Sequence, residues 1–362
     1  MKKSDGKKVK SILFRMNITG QGVVNNDSKE QRFALNRMKM NGGIYDNVIF
    51  AKKNFYGVEG DYRSKIKISS DCLRNAIFRG SAVAQTPNIQ HDPAVLSSFI
   101  ASPTSMMRGY LFADKDETVK RKGAVSIVDA EQINDAVPYL ETFSKSGDRS
   151  IESDEAGNSF FKKETIGHVE YSSRGVIDLR QLQFLSMDIL FDRLALNADA
   201  FGEFEQFMKL RMPSFKSKPA YYIMNGSIVD IPEYGIRFSN DDVISMVKEF
   251  LYNALNMNIS KGTAYAATSS LEFKLVYDNI EDTFNSNDGW IAATSDSIKD
   301  LSFDMEDFYI EHDMEKSKAK REQLEAARKL YAKENSDKKA EKKAAKASAK
   351  KGGKKNEQTS EE

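Results

Sequence analysis

Cationic and aromatic side chains, rather than nucleophiles or metal ligands, are the groups whose types and spacing in this sequence point to chemistry. Its 362 residues hold three histidines, His91, His168 and His312, and one cysteine, Cys72. No HExxH or CxxC spacing occurs, so the common zinc and histidine-based sites lack their ligands. A Walker loop, a GxSxG elbow and a Cys/His nucleophile pair are missing as well. Carboxylates offer two combinations: Asp178 with Asp188 on neighbouring predicted strands, and the run Asp304, Glu306 and Asp307. Acid–base or metal work needs carboxylates that converge on a concave site, whereas acidic runs are usually solvated faces. No catalytic residue, no metal and no cofactor is therefore expected, and Cys72 reads as a small packing residue.

The basic residues read differently. Lys65 and Lys67 share one face of a predicted strand, Arg74 and Arg79 flank the apolar stripe of the helix after it, and Arg108 adjoins Gly109, where backbone can approach a phosphate. Such groups position a polyanion without reading its sequence. Lys261-Gly262-Thr263-Ala264-Tyr265-Ala266 partly follows the RNA-recognition strand signature, in which a basic residue and a glycine precede aromatics that stack on bases. Thr263 stands where an aromatic is expected, and an ordinary hairpin with a glycine turn has the same pattern. Phe160-Phe161-Lys162-Lys163 sets two aromatics, costly to leave exposed, beside two cations.

Regular elements must hold these groups. Ile12, Phe14, Met16 and Ile18 alternate with Leu13, Arg15 and Asn17, the period of two of a strand with one buried face, and the strand ends in the turn ITGQGVVNN around Gln21. A strand at 64–68 leads into a helix capped by Ser70 or Asp71, with Leu73, Ala76 and Ile77 inward and Gly80 as its stop. Asp92-Pro93 and Ser102-Pro103 each open a short helix. Residues 141–175 lack a core period and read as a long hairpin leaving the body. Phe204, Phe207 and Met208 mark another helix; Val243, Val247, Leu251, Ala254 and Leu255 make the clearest stripe, capped by Asn240 or Asp241. The alternation of strands and helices, with no repeat of 20–50 residues, predicts an α+β fold.

A formal net charge of +1 hides three blocks. Residues 1–80 carry 17 Lys/Arg against 7 Asp/Glu, residues 276–315 carry 12 acidic groups against Lys299, and residues 316–362 carry 16 Lys/Arg against 8 Asp/Glu. The last block is low in large apolar residues, so the predicted organisation is a body over 1–312 and a basic tail over 313–362, helical and then disordered. Deleting 316–362 is expected to leave the melting temperature nearly unchanged, the tail adding salt-sensitive nucleic-acid affinity or docking on the acidic block. No run of about 18 uncharged apolar residues and no secretory h-region occurs, so a cytoplasmic protein without membrane association is expected.

Four segments, DCLRNAIFRG, IASPTSMMRGYLFA, SFFKKETIGHVEYSSRGVIDLRQLQFLSMDILFDRLAL and NDDVISMVKEFLYNALNMNISKGTAYA, taken in order, resemble the Cas-seven backbone family (RAMP superfamily) of class 1 CRISPR effector complexes. The likeness is nearest to the backbone subunits of the type I-F variant and type IV systems, through a GxGVVN turn, an FF-K-T-G stretch and an LQF-I/L-S strand, and covers residues 9 to 278. The resemblance implies a modified RNA-recognition-motif (ferredoxin-like) core with long insertions, a protruding thumb hairpin, and copies polymerised side by side along a CRISPR guide RNA. It implies a non-catalytic subunit that holds the guide, leaves its bases free to pair with a target nucleic acid, and contacts other copies and other effector-complex subunits. The RNA-binding set expected on these grounds is Arg15, Gln21, Lys65, Lys67, Arg74, Arg79, Arg108, Phe161, Lys162, Lys163, Lys261 and Tyr265. Two alternatives stay open at this point: a metal-dependent ribonuclease of the same family, since some relatives cleave RNA with an acidic thumb residue and Asp148, Asp154 and Glu155 lie in the excursion, and a guide-independent coat of single-stranded nucleic acid.

Overall fold

The computed structural model describes residues 7–22, 24, 67–79, 93–113, 118–135, 139–145, 159–165, 167–228, 231–261, 264–277, 286–313, 315, 318–331 and 333. In chain order these form β1 (Ser11–Gln21), β2 (Lys67–Ile68), α1 (Ser70–Arg79), α2 (Pro93–Ile100), α3 (Pro103–Arg108), β3 (Tyr110–Ala113), β4 (Thr118–Arg121), β5 (Val125–Ile127), β6 (Ala130–Gln132), β7 (Tyr139–Lys145), β8 (Ser159–Thr165), β9 (His168–Asp178), α4 (Leu179–Gln183) and β10 (Phe184–Ser186). Then follow α5 (Phe201–Arg211), β11 (Pro219–Met224), β12 (Glu233–Arg237), α6 (Asn240–Leu255), β13 (Asn258–Lys261), β14 (Ala264–Val276), β15 (Ile291–Ala292), α7 (Ser295–Lys299) and β16 (Tyr309–Glu311), and a last helix, α8, over 318–331.

The main sheet has eight strands in the order β13-β14-β1-β9-β6-β2, with β15 added on β14 and β5 on β9. β1 lies at its centre, antiparallel to both long neighbours. The alternation read in β1 decides its faces: Ile12, Phe14, Met16 and Ile18 are buried under α6, whose Val243, Val247, Phe250 and Leu251 are buried with them. Phe14 meets Phe250 edge-on, ring centroids 5.0 Å apart. Across the strand pair, Phe14 stands opposite Gly175, where a Cβ would come within 2.3 Å of both the Phe14 ring and the Ser126 carbonyl. Gly175→Ala is therefore expected to destabilise by about 1–3 kcal/mol through overpacking, read as a lower midpoint in urea at unchanged slope.

The helix signals are mostly where the sequence places them. Ser102 caps α3 with Pro103 in its first turn. For α6 the cap is Ser239, one residue before the expected pair, because Ser239 and Asp242 bond each other's backbone as a capping box. At α1 the Ser69 hydroxyl accepts from the Cys72 N–H at 3.3 Å, again one residue earlier than expected. Glu249 on α6 sits beside α5, and burial raises its carboxyl against the smaller pull of Arg211. A raised carboxylate pKa means the charged form is tolerated less well folded than unfolded, so the penalty is full at neutral pH and vanishes once both states are protonated. Glu249→Gln should thus raise Tm at pH 7, the gain closing as pH falls toward the unfolded value of about 4.3.

A second sheet, β10-β12-β11-β16, holds a small cluster of Phe184, Tyr222 and Tyr309. On β4, which forms a two-stranded sheet with β3, Arg121 is buried with all three guanidinium nitrogens on carbonyls: Met106 at 3.2 Å, Phe184 at 2.6 Å and Gln181 at 2.5 Å. Two of those carbonyls lie on the short helices α3 and α4, whose C-terminal partial negative charge suits a cation. The acidic stretch is structural in its described part. Ile298, Leu301, Phe303, Met305 and Tyr309 are buried, and Met305 bridges to Val9 beside β1.

Two expectations change. The hairpin strands are β7 and β8, paired from Tyr139↔Thr165 to Lys145↔Ser159, and residues from His168 onward belong to the central strand β9, so the excursion ends short of 175. The tail is not detached from 316 on. Arg321 of α8 reaches the body, donating to Asp188 at 2.6 Å and to the Pro232 carbonyl at 3.0 Å, with its guanidinium over the Tyr221 ring.

Candidate nucleic-acid interface

Because α6 covers the inner face of the sheet, the outward residues of the same strands make up its other face. Register brings them into rows. Ser260, Tyr265, Gln21 and His168 align across β13, β14, β1 and β9, and all four are exposed. Behind them come Asn258, Ala267, Thr19 and Glu170, then Ser270, Asn17 and Ser172, with the Asn17 amide donating to the Ser270 hydroxyl at 3.1 Å. A β-bulge between Asn17 and Ile18 keeps this set on one side. Tyr265 is 52% exposed and offers an aromatic surface amid amide and hydroxyl groups, a combination that stacks on bases and bonds their edges.

The far end of the face is closed. Trp290 lies over the Arg15 guanidinium at 4.4 Å from the ring centroid, and the Lys274 ammonium is 6.0 Å from the same ring. Arg15 pairs with Glu272 directly across the strands, so it meets any polyanion from within an ion pair. His168 lies 3.2 Å from Glu170. The open face is thus polar and close to charge-balanced, suited to stacking and hydrogen bonding more than to long-range attraction.

The other expected cations occupy the helix layer. Arg74 donates to the Arg108 carbonyl at 2.7 Å. Gly109, at φ 77°, packs against Gly123 so closely that a Cβ would stand 2.4 Å from the Gly123 nitrogen. The close approach that Gly109 permits is therefore to the chain's own backbone, with Arg74 fastening the turn, while the Arg108 and Arg79 side chains are exposed. Lys67 is nearly buried and pairs with Glu131 at 2.6 Å. Lys65 lies outside the described residues. Phe161, Lys162 and Lys163 stand opposite Phe143, Thr142 and Glu141 in the β7–β8 pair, and Lys261 ends β13 opposite Ala264; their side chains lie outside the described residues.

That last pairing decides between the two readings of Lys261–Ala266. The segment crosses from β13 to β14, so it is a hairpin and not one continuous recognition strand. Tyr265 nevertheless reaches the open face. Sequence reasoning misses Ser260, His168 and Arg174, the last exposed on β9 opposite Arg15, although the period of two in HVEYSSRGVID carries the signal for the last two. The carboxylates do not converge: Asp178 caps α4, Asp188 pairs with Arg321, and Asp307 pairs with Lys8 at 2.5 Å. Among the described residues no group of three or more His, Cys, Asp or Glu is arranged to hold a metal ion, and no helix is long and apolar enough to cross a membrane.

No curated protein matches this chain. Solved structures that do include a "CRISPR RNA-guided surveillance complex" chain, 11% identical, with 74% of this chain and 70% of that one covered and a TM-score of 0.37. Another, from a "CRISPR RNA-guided surveillance complex, pre-nicking", is also 11% identical, with 74% and 79% covered and a TM-score of 0.38. A family model, "Type I-Fv CRISPR-associated protein Cas7fv-like", matches residues 8–289. Those limits take in every strand of the main sheet except β15, the inner helices and the open polar face, and the chain belongs to the type I-Fv, Cas7fv-like family of CRISPR-associated proteins.

Proposed function

We propose that this protein is a non-catalytic backbone subunit of a CRISPR RNA-guided surveillance complex, several copies of which line a guide RNA. Family membership across residues 8–289 carries the reading. The open face supports it: a half-exposed Tyr265 beside Gln21, Ser260 and His168 can stack on a base and bond its edge. Exposed Arg79 and Arg108 would hold phosphates from the helix layer, and Lys162 and Lys163 would do so from the β7–β8 thumb hairpin. In this reading the core is a modified RNA-recognition fold working in the cytoplasm, the RNA supplies sequence recognition, and target nucleic acid pairs with the guide.

Sequencing the RNA that copurifies with the full chain tests the reading. Repeat-derived RNAs of one defined length are expected; RNAs of random origin would replace it with a guide-independent coat. Labelled RNA incubated with the protein and magnesium should stay intact, and cleavage would make the protein a ribonuclease. Tyr265→Ala should weaken single-stranded RNA binding by about 1–3 kcal/mol without changing Tm, as loss of one stacked base would. Unchanged affinity would move the contact surface off this face.

A further inference from the structure

The last helix is mounted with its polarity reversed. A surface helix normally turns its apolar stripe to the body and its charges to water. In α8 the residues facing the body are Arg321, Glu325, Arg328 and Lys329, which recur at helical spacing and line a groove of about 580 Å³ against Tyr221, Tyr234 and the 187–199 segment. Leu324, Ala327 and Tyr331, spaced by three and four, make a second stripe roughly a third of a turn round the helix from the first, with Leu324 at its near edge. Leu324 is 38% exposed and Tyr331 68%, with Leu330 beside them at 62%.

The chemistry around the stripe selects its occupant. Residues 318–333 hold six Lys/Arg against two Glu, and although Arg321 is seated on Asp188 and Arg328 and Lys329 line the groove toward the body, the helix as a whole is basic. The complementary surface is apolar and acidic, and this chain carries one. Residues 300–315 hold seven Asp/Glu and no Lys or Arg. Within them β16 is the edge of the second sheet, and its Ile310 is 53% exposed, with Asp304, Glu311 and Asp313 also exposed. Two leucines and a tyrosine offer little to a phosphate backbone but fit an exposed isoleucine.

We propose that α8 of one copy docks through Leu324 and Tyr331 on the β16 edge around Ile310 of the next copy, its basic surface toward the exposed Glu311 and Asp313. The contact joins two different surfaces, so it leaves one of each free and extends a row of copies instead of closing a dimer. The proposal deepens the reading of a self-assembling subunit and rests on that part of it.

Sedimentation velocity of the full chain without RNA tests it. Mass should rise with protein concentration, and Leu324→Glu with Tyr331→Glu, or Ile310→Lys alone, should weaken association by about tenfold or more. All three residues are exposed, so far-UV circular dichroism should not change. Mixing the tail variant with the Ile310→Lys variant leaves one intact pair of surfaces, so the mixture should form dimers and stop there. Raising the salt concentration should weaken association of the unaltered protein, since a basic helix then meets an acidic edge less strongly. Zero-length crosslinking of the unaltered protein should join lysines of α8 to Glu311 or Asp313 between copies. A monomer at every concentration, variants that associate like wild type, or a mixture that forms no dimers would overturn the proposal. So would tail variants that lose only the binding of one copy to a short RNA, which would make RNA the occupant. Association that persists while guide RNA fails to copurify would count against the guide-RNA reading alone.

Discussion

Arg121→Ala should cost this protein about 3–5 kcal/mol, lowering Tm by roughly 6–20 °C, a larger loss than Gly175→Ala would bring. Three carbonyls, those of the buried Met106 and Phe184 and the half-buried Gln181, would lose their donor. Burial lowers the Arg121 pKa, yet the guanidinium stays charged because the group starts so far above neutral. Its charge is met by the carbonyl ends of α3 and α4 and by the start of β10, rather than by a carboxylate among the described residues. Arg121→Lys is expected to recover only part of the loss, since one ammonium cannot span three acceptors that a planar fork reaches at once. Urea unfolding of the two variants checks this, and equal stability of Arg121→Lys and wild type would show that charge alone matters at the site.

Ending the chain after residue 333 should leave Tm unchanged, whereas ending it after 315 should lower stability by about 2–4 kcal/mol. The difference is Arg321. Its side chain is 11% exposed and that of Asp188 1%, so the pair is shielded from the solvent that makes most surface ion pairs weak. Deleting the helix strips Asp188 of its counter-ion but leaves it the N–H groups of Leu190 at 2.9 Å and Tyr234 at 3.0 Å. Asp188→Ala removes all of these bonds at once and should cost more than the truncation. Asp188→Asn combined with Arg321→Met closes the double-mutant cycle, and a coupling near zero would show the helix held by other contacts.

Local pattern accounts for what is legible in the sequence. The period of two in β1 and the stripe of α6 each record one-sided burial, and Ser102-Pro103 records a helix start; all three depend on near neighbours in the chain. The same logic explains the displaced caps, because Ser239 outcompetes Asn240 only through its reciprocal bond with Asp242. Arg121 and Arg321 are opaque for the opposite reason. Both look like any surface cation until residues 63 and 133 positions away supply their acceptors. The acidic block misleads in a related way: its charges dominate the composition, while buried apolar residues among them, such as Ile298, Leu301 and Phe303, decide that it folds with the body. On the candidate interface, Tyr265 stands out through a motif that is in fact a turn, and Arg15 and Lys67 stand out as cations without the carboxylates that occupy them.

The central position of β1 sets an order of events during synthesis. It leaves the ribosome before both of its partners, β9 and β14, and Ser11 pairs with Asp178 on one side and Val276 on the other. At about 5–20 residues per second, the second edge waits some 13–53 s for its strand. During that interval a strand with Ile12, Phe14, Met16 and Ile18 along one face has unmatched N–H and C=O groups along its length, the arrangement most prone to pair with another nascent chain. Neighbouring ribosomes on one message hold such strands close together, so slow elongation between residues 178 and 276 should lower the soluble yield more than equally slow elongation after 276.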